Sequence, residues 1–307
     1  MFRKIINYIC YPNKILIRFV RLTTNFWNDK TYISILYFLC KGKLINLKTP
    51  KTYTEKLQWL KLNYQNPKYT SLVDKYEMKH YVENVIGREH IVPCYGIWDR
   101  FEDIDFDELP NQFVLKCTHD SGSFVICNDK NKLNINKIKK IINKGINRDY
   151  YKQWREWPYK NVRRRIIAEA LLVDESSDSL TDYKFFCFHG EPQIMYISND
   201  AGKNPTTDFF DMEFNNLDLR MRDPNSKQLP TKPACFDEMK SLARKLCKGM
   251  PHVRVDFYFV NGIIYVGELT FYHNSGLGRI TPYKWELMLG NMLNIEACKK
   301  ELYYISK

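Results

Sequence analysis

One stretch near the C-terminus, HVRVDFYFVNGIIYVGELTF at residues 252 to 271, constrains the fold more than any other. Most of its residues are Val, Ile, Phe and Tyr, which favour strands, and its Asn-Gly pair predicts a tight turn between two strands. Arg254, Asp256 and Glu268 nevertheless lie inside these strands, where an unpaired charge is costly to bury. The sequence therefore predicts a hairpin whose charged groups have partners.

The length of the hairpin loop decides which of these side chains share a face, because side chains alternate along a strand. A two-residue Asn-Gly turn would send Asp256 and Glu268 to opposite faces. A three-residue loop that begins one residue earlier, at Val260, would put both acids on one face. We predict the longer loop, which also places Arg254 and Thr270 on that face.

Two carboxylates on one face need compensation. At about 4 Å and an effective dielectric near 20 they repel by roughly 4 kcal/mol, so a proton or a cation must lie between them. Magnesium, which prefers oxygen ligands and leaves room for phosphate oxygens, suits such a pair. The alternative is a plain ion pair between Arg254 and Glu268 on an exposed sheet face.

The charge balance of 47 Lys and Arg against 35 Asp and Glu gives a net charge of +12, which favours anionic partners such as phosphates, acidic glycans, nucleic acid or an anionic membrane. The nine cysteines include no C-x-x-C pair and fit neither a disulfide framework nor a zinc ribbon. We therefore expect a cytoplasmic protein.

The N-terminal segment leaves two interpretations open. Residues 1 to 28 contain no acid and interleave basic with apolar residues, and the basic residues are Arg3, Lys4, Lys14, Arg18 and Arg21. Such a segment is typical of a helix docked on the protein's own core, which is the interpretation we favour, and also of a helix lying on the anionic inner face of a membrane. The longest apolar run near the start has nine residues, and about 20 are needed to cross a bilayer.

Along the chain, helical patterns alternate with strands that pair mostly as hairpins, which predicts an α+β fold built from several small layers. One amphipathic helix is expected to begin at Thr52 or Thr54, and another to run from about residue 70 to Gly87. The second would carry Lys75 and Lys79 on one face, where the alternative for Lys75 is an ordinary solvated charge.

A second motif, FVLKCTHDSGSFVI, reads as strand, small-residue loop, strand. Lys116 ends the first strand, and the backbone amides around Ser121, Gly122 and Ser123 could close over a phosphate. Lys184 lies in another apolar strand, and a buried lysine needs an anion, so Lys116 and Lys184 together indicate a polyphosphate between them. The alternative is a loop that serves turn geometry only.

Six ordered motifs, DKYEMKHYVENVIG, IVPCYGIWD, FVLKCTHDSG, REWPYKNVRRRIIAEALL, DYKFFCFHGEP and RVDFYFVNGIIYVGELTF, resemble the TupA-like branch of the ATP-grasp superfamily over about residues 30 to 295. The resemblance implies an ATP-grasp fold with ATP and Mg2+ as cofactors. It implies a basic helical segment at 1–48, a pre-grasp region at 49–110, a lid subdomain at 111–165 and a C-terminal antiparallel-sheet subdomain at 166–307.

The resemblance also assigns roles. Lys116, Lys184 and Arg254 would contact the phosphates and steady the transferring phosphoryl group. The remaining assignments are lid contacts by Ser121, Gly122 and Ser123, a phosphate contact by Lys75, an adenine-side hinge at Glu169, a ribose contact by Asp182, and metal ligation by Asp256 and Glu268.

Two positions depart from common ATP-grasp patterns, although threonine at the second is usual in the TupA-like branch. Asp120 stands where the lid usually has glycine, and would put a negative charge beside the phosphates. Thr270 stands where many ATP-grasp enzymes have a metal-binding asparagine, a role that Asn274 could take over. His119 or His273 could accept the proton of an attacking amine, and a structural or surface role is the alternative for either histidine.

These implications favour an ATP-dependent carboxylate-amine ligase that acts through an acyl phosphate on a bacterial surface-polysaccharide precursor. Its substrates would be the carboxylate of an acidic glycan or nucleotide sugar, such as a uronic acid, and an amine from an amino acid or amino sugar. The alternatives are an ATP-dependent glycan phosphotransferase and a non-catalytic basic protein that binds anionic polymers. Nucleic acid is not expected as a partner, because the sequence carries none of the common recognition motifs.

Overall fold

The computed structural model describes residues 12–174, 180–199 and 205–305, so the first 11 residues of the basic segment at 1 to 28 lie outside the described part. The chain forms two compact units. Unit 1 comprises Met1–Gln65, Asp149–Trp157 and Tyr272–Lys307, and unit 2 comprises Asn66–Arg148 and Pro158–Phe271. The fourfold subdomain division implied by the resemblance stays a prediction.

The described residues form α-helices at α1 Pro12–Leu22, α2 Asp29–Lys41, α3 Tyr53–Asn63, α4 Lys68–Val73, α5 Glu77–Ile86, α6 Ile135–Ile146, α7 Tyr150–Trp154, α8 Phe236–Leu246, α9 Lys284–Met292 and α10 Ile295–Ile305. Strands lie at β1 Cys94–Trp98, β2 Phe113–Cys117, β3 Phe124–Cys127, β4 Ile166–Ala170, β5 Thr181–Phe188, β6 Glu191–Asn199, β7 Thr206–Asp211, β8 Asn216–Leu217, β9 His252–Val260 and β10 Ile263–Thr270. The predicted α+β fold is confirmed. Within the described ranges, no helix is long and apolar enough to span a membrane.

Unit 1 is helical. Its helix α3 begins at Thr52, one of the two predicted starts, where the Thr52 hydroxyl accepts the Glu55 amide and the Glu55 carboxylate accepts the Thr52 amide. This reciprocal capping box satisfies two amides that the first turn leaves without helical partners.

Unit 2 contains two antiparallel sheets. The four-stranded sheet has the order β1-β4-β2-β3, and the six-stranded sheet has the order β10-β9-β5-β6-β7-β8. Helix α6 covers the first sheet through Ile138 and Ile142, which belong to the same buried apolar cluster as Leu115. Aromatic contacts support the second sheet, where the ring of Phe185 lies 5.9 Å from that of Phe236 on α8. Each sheet therefore has its own core and can hold polar groups in fixed positions on its other face.

The single helix predicted from residue 70 to Gly87 is wrong, because the chain forms α4 and α5 with a break at Asp74. The Asp74 carboxylate accepts the backbone amides of Tyr76 and Glu77 at 2.8 and 3.3 Å, so it starts a new helix there. Lys75 consequently lies in the connection, and Lys75 and Lys79 do not share the face of one continuous helix.

Candidate active site

The hairpin formed by β9 and β10 has a two-residue turn, with Ile263 opposite Val260. Asn261 and Gly262 both have positive φ, 49° and 83°, as this turn requires. The predicted three-residue loop is therefore wrong.

The predicted shared face is nevertheless present, because a bulge lies further along the hairpin. Val266 pairs with Phe257, but Glu268 pairs with Asp256, which leaves Gly267 as an extra residue in β10. One extra residue reverses the alternation, so Glu268 returns to the face that Asp256 occupies. A Cβ at Gly267 would lie 2.8 Å from a ring carbon of Tyr258, which explains why glycine occupies the bulge.

Three charged residues form a row across the sheet. Lys184 on β5 pairs in register with Asp256 on β9, which pairs with Glu268 on β10. The Lys184 Nζ lies 2.9 Å from Asp256 Oδ2 and 3.0 Å from the Oδ1 of Asp182. Asp256 is 1% exposed, whereas the Glu268 side chain is 46% exposed. The row therefore runs from the interior of the sheet face to solvent.

Arg254 joins the two acids. Its Nε donates to Asp256 Oδ1 at 2.6 Å, and its Nη2 donates to Asp256 Oδ2 at 2.6 Å and to Glu268 Oε1 at 2.8 Å. The Thr270 hydroxyl donates to the same Glu268 oxygen at 2.6 Å. The cation that compensates the two acids is thus a guanidinium of the chain itself. The alternative of a simple exposed Arg254–Glu268 pair does not describe this cluster, because Arg254 is 7% exposed and also holds Asp256.

The charges adjust one another's pKa. Partial burial would raise the pKa of Glu268, but the charges of Arg254 and Lys184 outweigh it and lower the pKa to about 2. Burial would lower the pKa of Lys184, but the Asp256 carboxylate raises it. Burial raises the pKa of Asp256, and Arg254 and Lys184 oppose that rise. At neutral pH the exposed end of the row is therefore an ionised carboxylate.

A second charged cluster lies at the four-stranded sheet. Glu169 on β4 is 4% exposed and accepts from Lys79 Nζ at 2.5 Å and from Lys116 Nζ at 2.6 Å. Burial would raise the pKa of Glu169, but the two lysines lower it. The Lys116 side chain is 31% exposed, so this cluster also opens to solvent at one cation.

The lid loop is tied down at both ends. The Cys117 amide donates to Ser123 O at 2.9 Å, and the Thr118 amide donates to Arg165 O at 2.9 Å. Ser121 and Gly122 form the exposed tip, and Gly122 has a φ of 96°. The predicted phosphate loop therefore presents an accessible backbone at Ser121 and Gly122.

Asp120 does not point out of this loop. It is 2% exposed, and its Oδ2 accepts the Ser123 hydroxyl at 2.5 Å and Arg148 Nη1 at 3.3 Å. Lys75 Nζ donates to the Asp120 backbone oxygen. Burial lowers the pKa of Lys75, and the carboxylates of Asp120 and Glu268 oppose that decrease. The Asp120 carboxylate thus fastens the base of the loop, and the Ser123 hydroxyl is committed to it.

Asn274 and His273 belong to unit 1, where the Asn274 amide lies 3.0 Å from His273 Nε2. Metal ligation by Asn274 and proton acceptance by His273 stay predictions. His119 is 3% exposed, and its Nε2 lies 3.2 Å from Arg148 O. Burial lowers the pKa of His119.

The Asp256 and Glu268 carboxylates fit the kind of magnesium site that substrate phosphates complete. In the described part of the chain, no group of three or more His, Cys, Asp and Glu side chains is arranged to hold a metal ion. Asp256 and Glu268 are register partners with carboxylates on one face of the sheet, and Mg2+ is often bound by one or two carboxylates together with substrate phosphates. The remaining ligands would have to be phosphate oxygens and water.

Three neighbours of these clusters were not predicted as site residues. Lys79 holds Glu169, the Tyr196 ring lies 5.9 Å from the Arg254 guanidinium, and Arg165 Nη2 donates to Asp74 Oδ2 at 2.9 Å. Lys79 and Glu169 are 90 residues apart in sequence (169 − 79), so no local pattern could link them. An arginine immediately before an apolar strand was a usable signal in the sequence for Arg165.

Two antiparallel sheets, one carrying the lid loop and the other the acid pair, form the fold of an ATP-grasp protein, as the match to a family model shows. A model of the family described as TupA-like ATPgrasp matches residues 55–294. The chain belongs to this family. The resemblance drawn from the six sequence motifs is thereby confirmed.

Solved structures with similar folds include the D-alanine–D-alanine ligase from Bacillus anthracis complexed with ATP, with 14% identity, a TM-score of 0.44, and coverage of 76% of this chain and 66% of that one. They also include purK, an N5-carboxyaminoimidazole ribonucleotide synthetase, in its ADP complex, with 12% identity, a TM-score of 0.43, and coverage of 77% and 55%. The ATP-grasp ligase PsnB complexed with a minimal precursor has 10% identity, a TM-score of 0.39, and coverage of 71% and 59%. The chain spans less than two thirds of each of these three structures. Among curated proteins no relative matches the sequence.

Proposed function

We propose that this chain is an ATP-dependent carboxylate-amine ligase that modifies a bacterial surface-polysaccharide precursor, joining a uronic acid to an amino acid or amino sugar. One observation carries the proposal: Lys184, Asp256 and Glu268 form a single row joined by Arg254 in a member of the ATP-grasp family. The net charge of +12 suits an acidic glycan.

The proposed reaction has two steps. A carboxylate oxygen of the acid attacks the γ-phosphorus of ATP, and the bond from that phosphorus to the ADP oxygen breaks. The amine nitrogen then attacks the acyl carbon, phosphate leaves, and the nitrogen loses a proton. The products are an amide, ADP and phosphate.

In this proposal the side chains position the reactants and neutralise charge. Lys184 and Arg254 would donate to phosphoryl oxygens as negative charge develops there, and Lys116 and Lys75 would bind the polyphosphate. Asp256 and Glu268 would hold magnesium, which when bound supplies further charge neutralisation. The exposed amides of Ser121 and Gly122 would cover the phosphates, and Asp182 and the chain beside Glu169 would bind the nucleoside.

The test is to incubate the protein with ATP, Mg2+ and a panel of uronic acids and amines, and to measure ADP release and product mass. The proposal expects ADP release that requires both an acid and an amine, together with an amide product. The Asp256→Asn variant should lose this release. The matched Asp237→Asn variant, whose carboxylate is 75% exposed and pairs with Lys232, should keep it.

Two other results would overturn the proposal. A stable phosphorylated glycan formed without an amine would identify a phosphotransferase. Binding of acidic polymers with no ATP binding and no ADP release would identify a non-catalytic binding protein.

A further inference from the structure

The first described helix, α1, carries an apolar ridge that the protein leaves exposed. Its members are Ile15, Leu16, Phe19 and Leu22 on the helix and Phe26 just beyond it, with exposed fractions of 50%, 50%, 58%, 74% and 86%. Spacings of three and four residues put the helical members on one side. Large apolar side chains grouped on one exposed face usually mark an interaction surface.

A different side of α1 attaches it to unit 1. Val20 is 6% exposed and packs with Tyr32 and Leu36 of α2, and Ile17 packs against the same cluster. The Arg21 guanidinium lies 4.5 Å from the centre of the Trp154 ring. Because the helix already has a side buried in its own unit, the ridge is an additional apolar face.

A basic groove adjoins the ridge. It has a volume of about 640 Å³, and its lining consists of Lys14, Ile17, Arg18, Arg21, Leu22, Thr24, Asn25, Asp149, Lys152 and Gln153. Four of these residues are cations and one is an acid, so the groove carries a net positive charge. Leu22 belongs to both the ridge and the groove, which makes them one continuous surface.

From these features we infer that the ridge and the groove bind the surface of an anionic lipid bilayer. The ridge would enter the boundary between headgroups and acyl chains, and the groove would receive lipid phosphates. A helix lying in the interface plane needs this combination, an apolar face flanked by lysine and arginine. The charge argues for lipid over another copy of this chain, because two copies of a cationic surface would repel each other.

The test uses the full-length protein and sedimentation with two kinds of vesicle, phosphatidylcholine alone and phosphatidylcholine mixed with phosphatidylglycerol. Binding is expected to the anionic vesicles and to weaken as NaCl is raised, because salt screens the attraction. The double variant Leu22→Ser, Phe26→Ser should bind at least about tenfold more weakly, since it removes buried apolar area from the interface. The matched control is Leu229→Ser, at a leucine of unit 2 that is 53% exposed.

The charge contribution is tested separately. Lys14→Gln with Arg18→Gln should weaken binding to the anionic vesicles and reduce its dependence on salt. The matched pair Arg222→Gln with Lys227→Gln, at exposed positions of unit 2, should have no such effect.

The inference is overturned if the wild-type protein binds neither kind of vesicle, or if the ridge variant binds as well as the wild type. It is also overturned if light scattering shows a dimer that the ridge variant converts to a monomer while vesicles are not bound, because a second copy would then be the occupant. None of these outcomes depends on ligase activity, so failure here is distinguishable from failure of the proposed function.

Discussion

Both units bury charged side chains, but the charges of unit 1 are enclosed whereas those of unit 2 belong to networks that reach solvent. In unit 1, Lys61 is 3% exposed and donates to Trp154 O at 3.0 Å, Ser275 O at 2.8 Å and Ser275 Oγ at 2.7 Å. Glu286 is likewise 3% exposed and accepts from Lys41 at 2.6 Å and the Thr54 hydroxyl at 2.9 Å. These charges are enclosed by the unit that they hold together.

In unit 2 the corresponding networks reach solvent. The row that begins at buried Asp256 ends at Glu268, whose side chain is 46% exposed, and the Glu169 cluster ends at Lys116, which is 31% exposed. A charged network that opens at one end can be reached by a ligand from solvent at that end. The comparison therefore separates charges that serve the fold from charges that can serve chemistry.

The largest effect is expected at Asp256. Asp256→Asn should reduce ADP release by about 1000-fold, because losing about 4 kcal/mol of charge stabilisation slows a reaction by that factor. Steady-state ADP release measured beside a thermal melt checks this prediction. A variant that remains folded and within tenfold of the wild-type rate would contradict it.

A substitution in the enclosed charged network of unit 1 should instead lower the free energy of unfolding. Glu286→Gln leaves the buried Lys41 ammonium without a charged partner and should lower the free energy of unfolding by about 3 kcal/mol. Urea unfolding measures the change. Glu296→Gln is the matched control, because its side chain is 73% exposed, and its pair with Lys299 should contribute less than about 1 kcal/mol. Equal decreases in the free energy of unfolding for the two variants would contradict the prediction that the enclosed pair stabilises the unit more than an exposed pair does.

Lys61 should give unit 1 a pH dependence. Burial lowers the pKa of Lys61 from 10.5 to about 8, with the charge of Glu156 opposing. Between these two pH values the unfolded chain binds the proton more strongly than the folded one, so the free energy of unfolding should rise with pH, by up to about 3 kcal/mol. Unfolding measured from pH 7.5 to 9.5 should show a smaller rise in Lys61→Met. Identical slopes in the two proteins would contradict the prediction.

The smallest effect is expected in the lid. Because the Asp120 carboxylate is buried against Ser123 and Arg148, Asp120→Asn should lower the free energy of unfolding by about 1 kcal/mol. The dissociation constant for ATP should change less than about threefold, a difference of under 1 kcal/mol. Calorimetric titration with ATP checks this, and Ser123→Ala is the matched loss of the donor. A tenfold gain in ATP affinity would show that the charge does face the phosphates.

The fold was predictable because its signals are local. The capping residue Thr52, one of two predicted starts, and the apolar strands around Lys116 and Lys184 follow from neighbouring residues. The two-residue Asn-Gly turn has an equally local signal, but the prediction chose the three-residue loop instead. The prediction that Asp256 and Glu268 share a face was correct, but the cause given for it, a three-residue loop, was wrong. Gly267, a glycine inside a strand, was the available sign of the bulge, and its close approach to Tyr258 appears only in three dimensions.

The rest of the candidate site depends on contacts between distant segments. The pairing of Lys79 with Glu169 and the break at Asp74, whose carboxylate caps α5 and also accepts Arg165, are set by tertiary structure. Helical periodicity continues through Asp74 without interruption, so a prediction from periodicity joins the two helices.

Because the bulge at Gly267 sets the face on which Glu268 lies, the pairing of the two acids does not depend on the length of the hairpin tip. Lengthening the tip at Asn261 and Gly262 would leave Asp256 facing Glu268, whereas deleting the single residue Gly267 would turn Glu268 to the reverse side of the sheet. The tip is therefore a suitable place to graft a reporter peptide or a fluorophore in engineered versions of this protein.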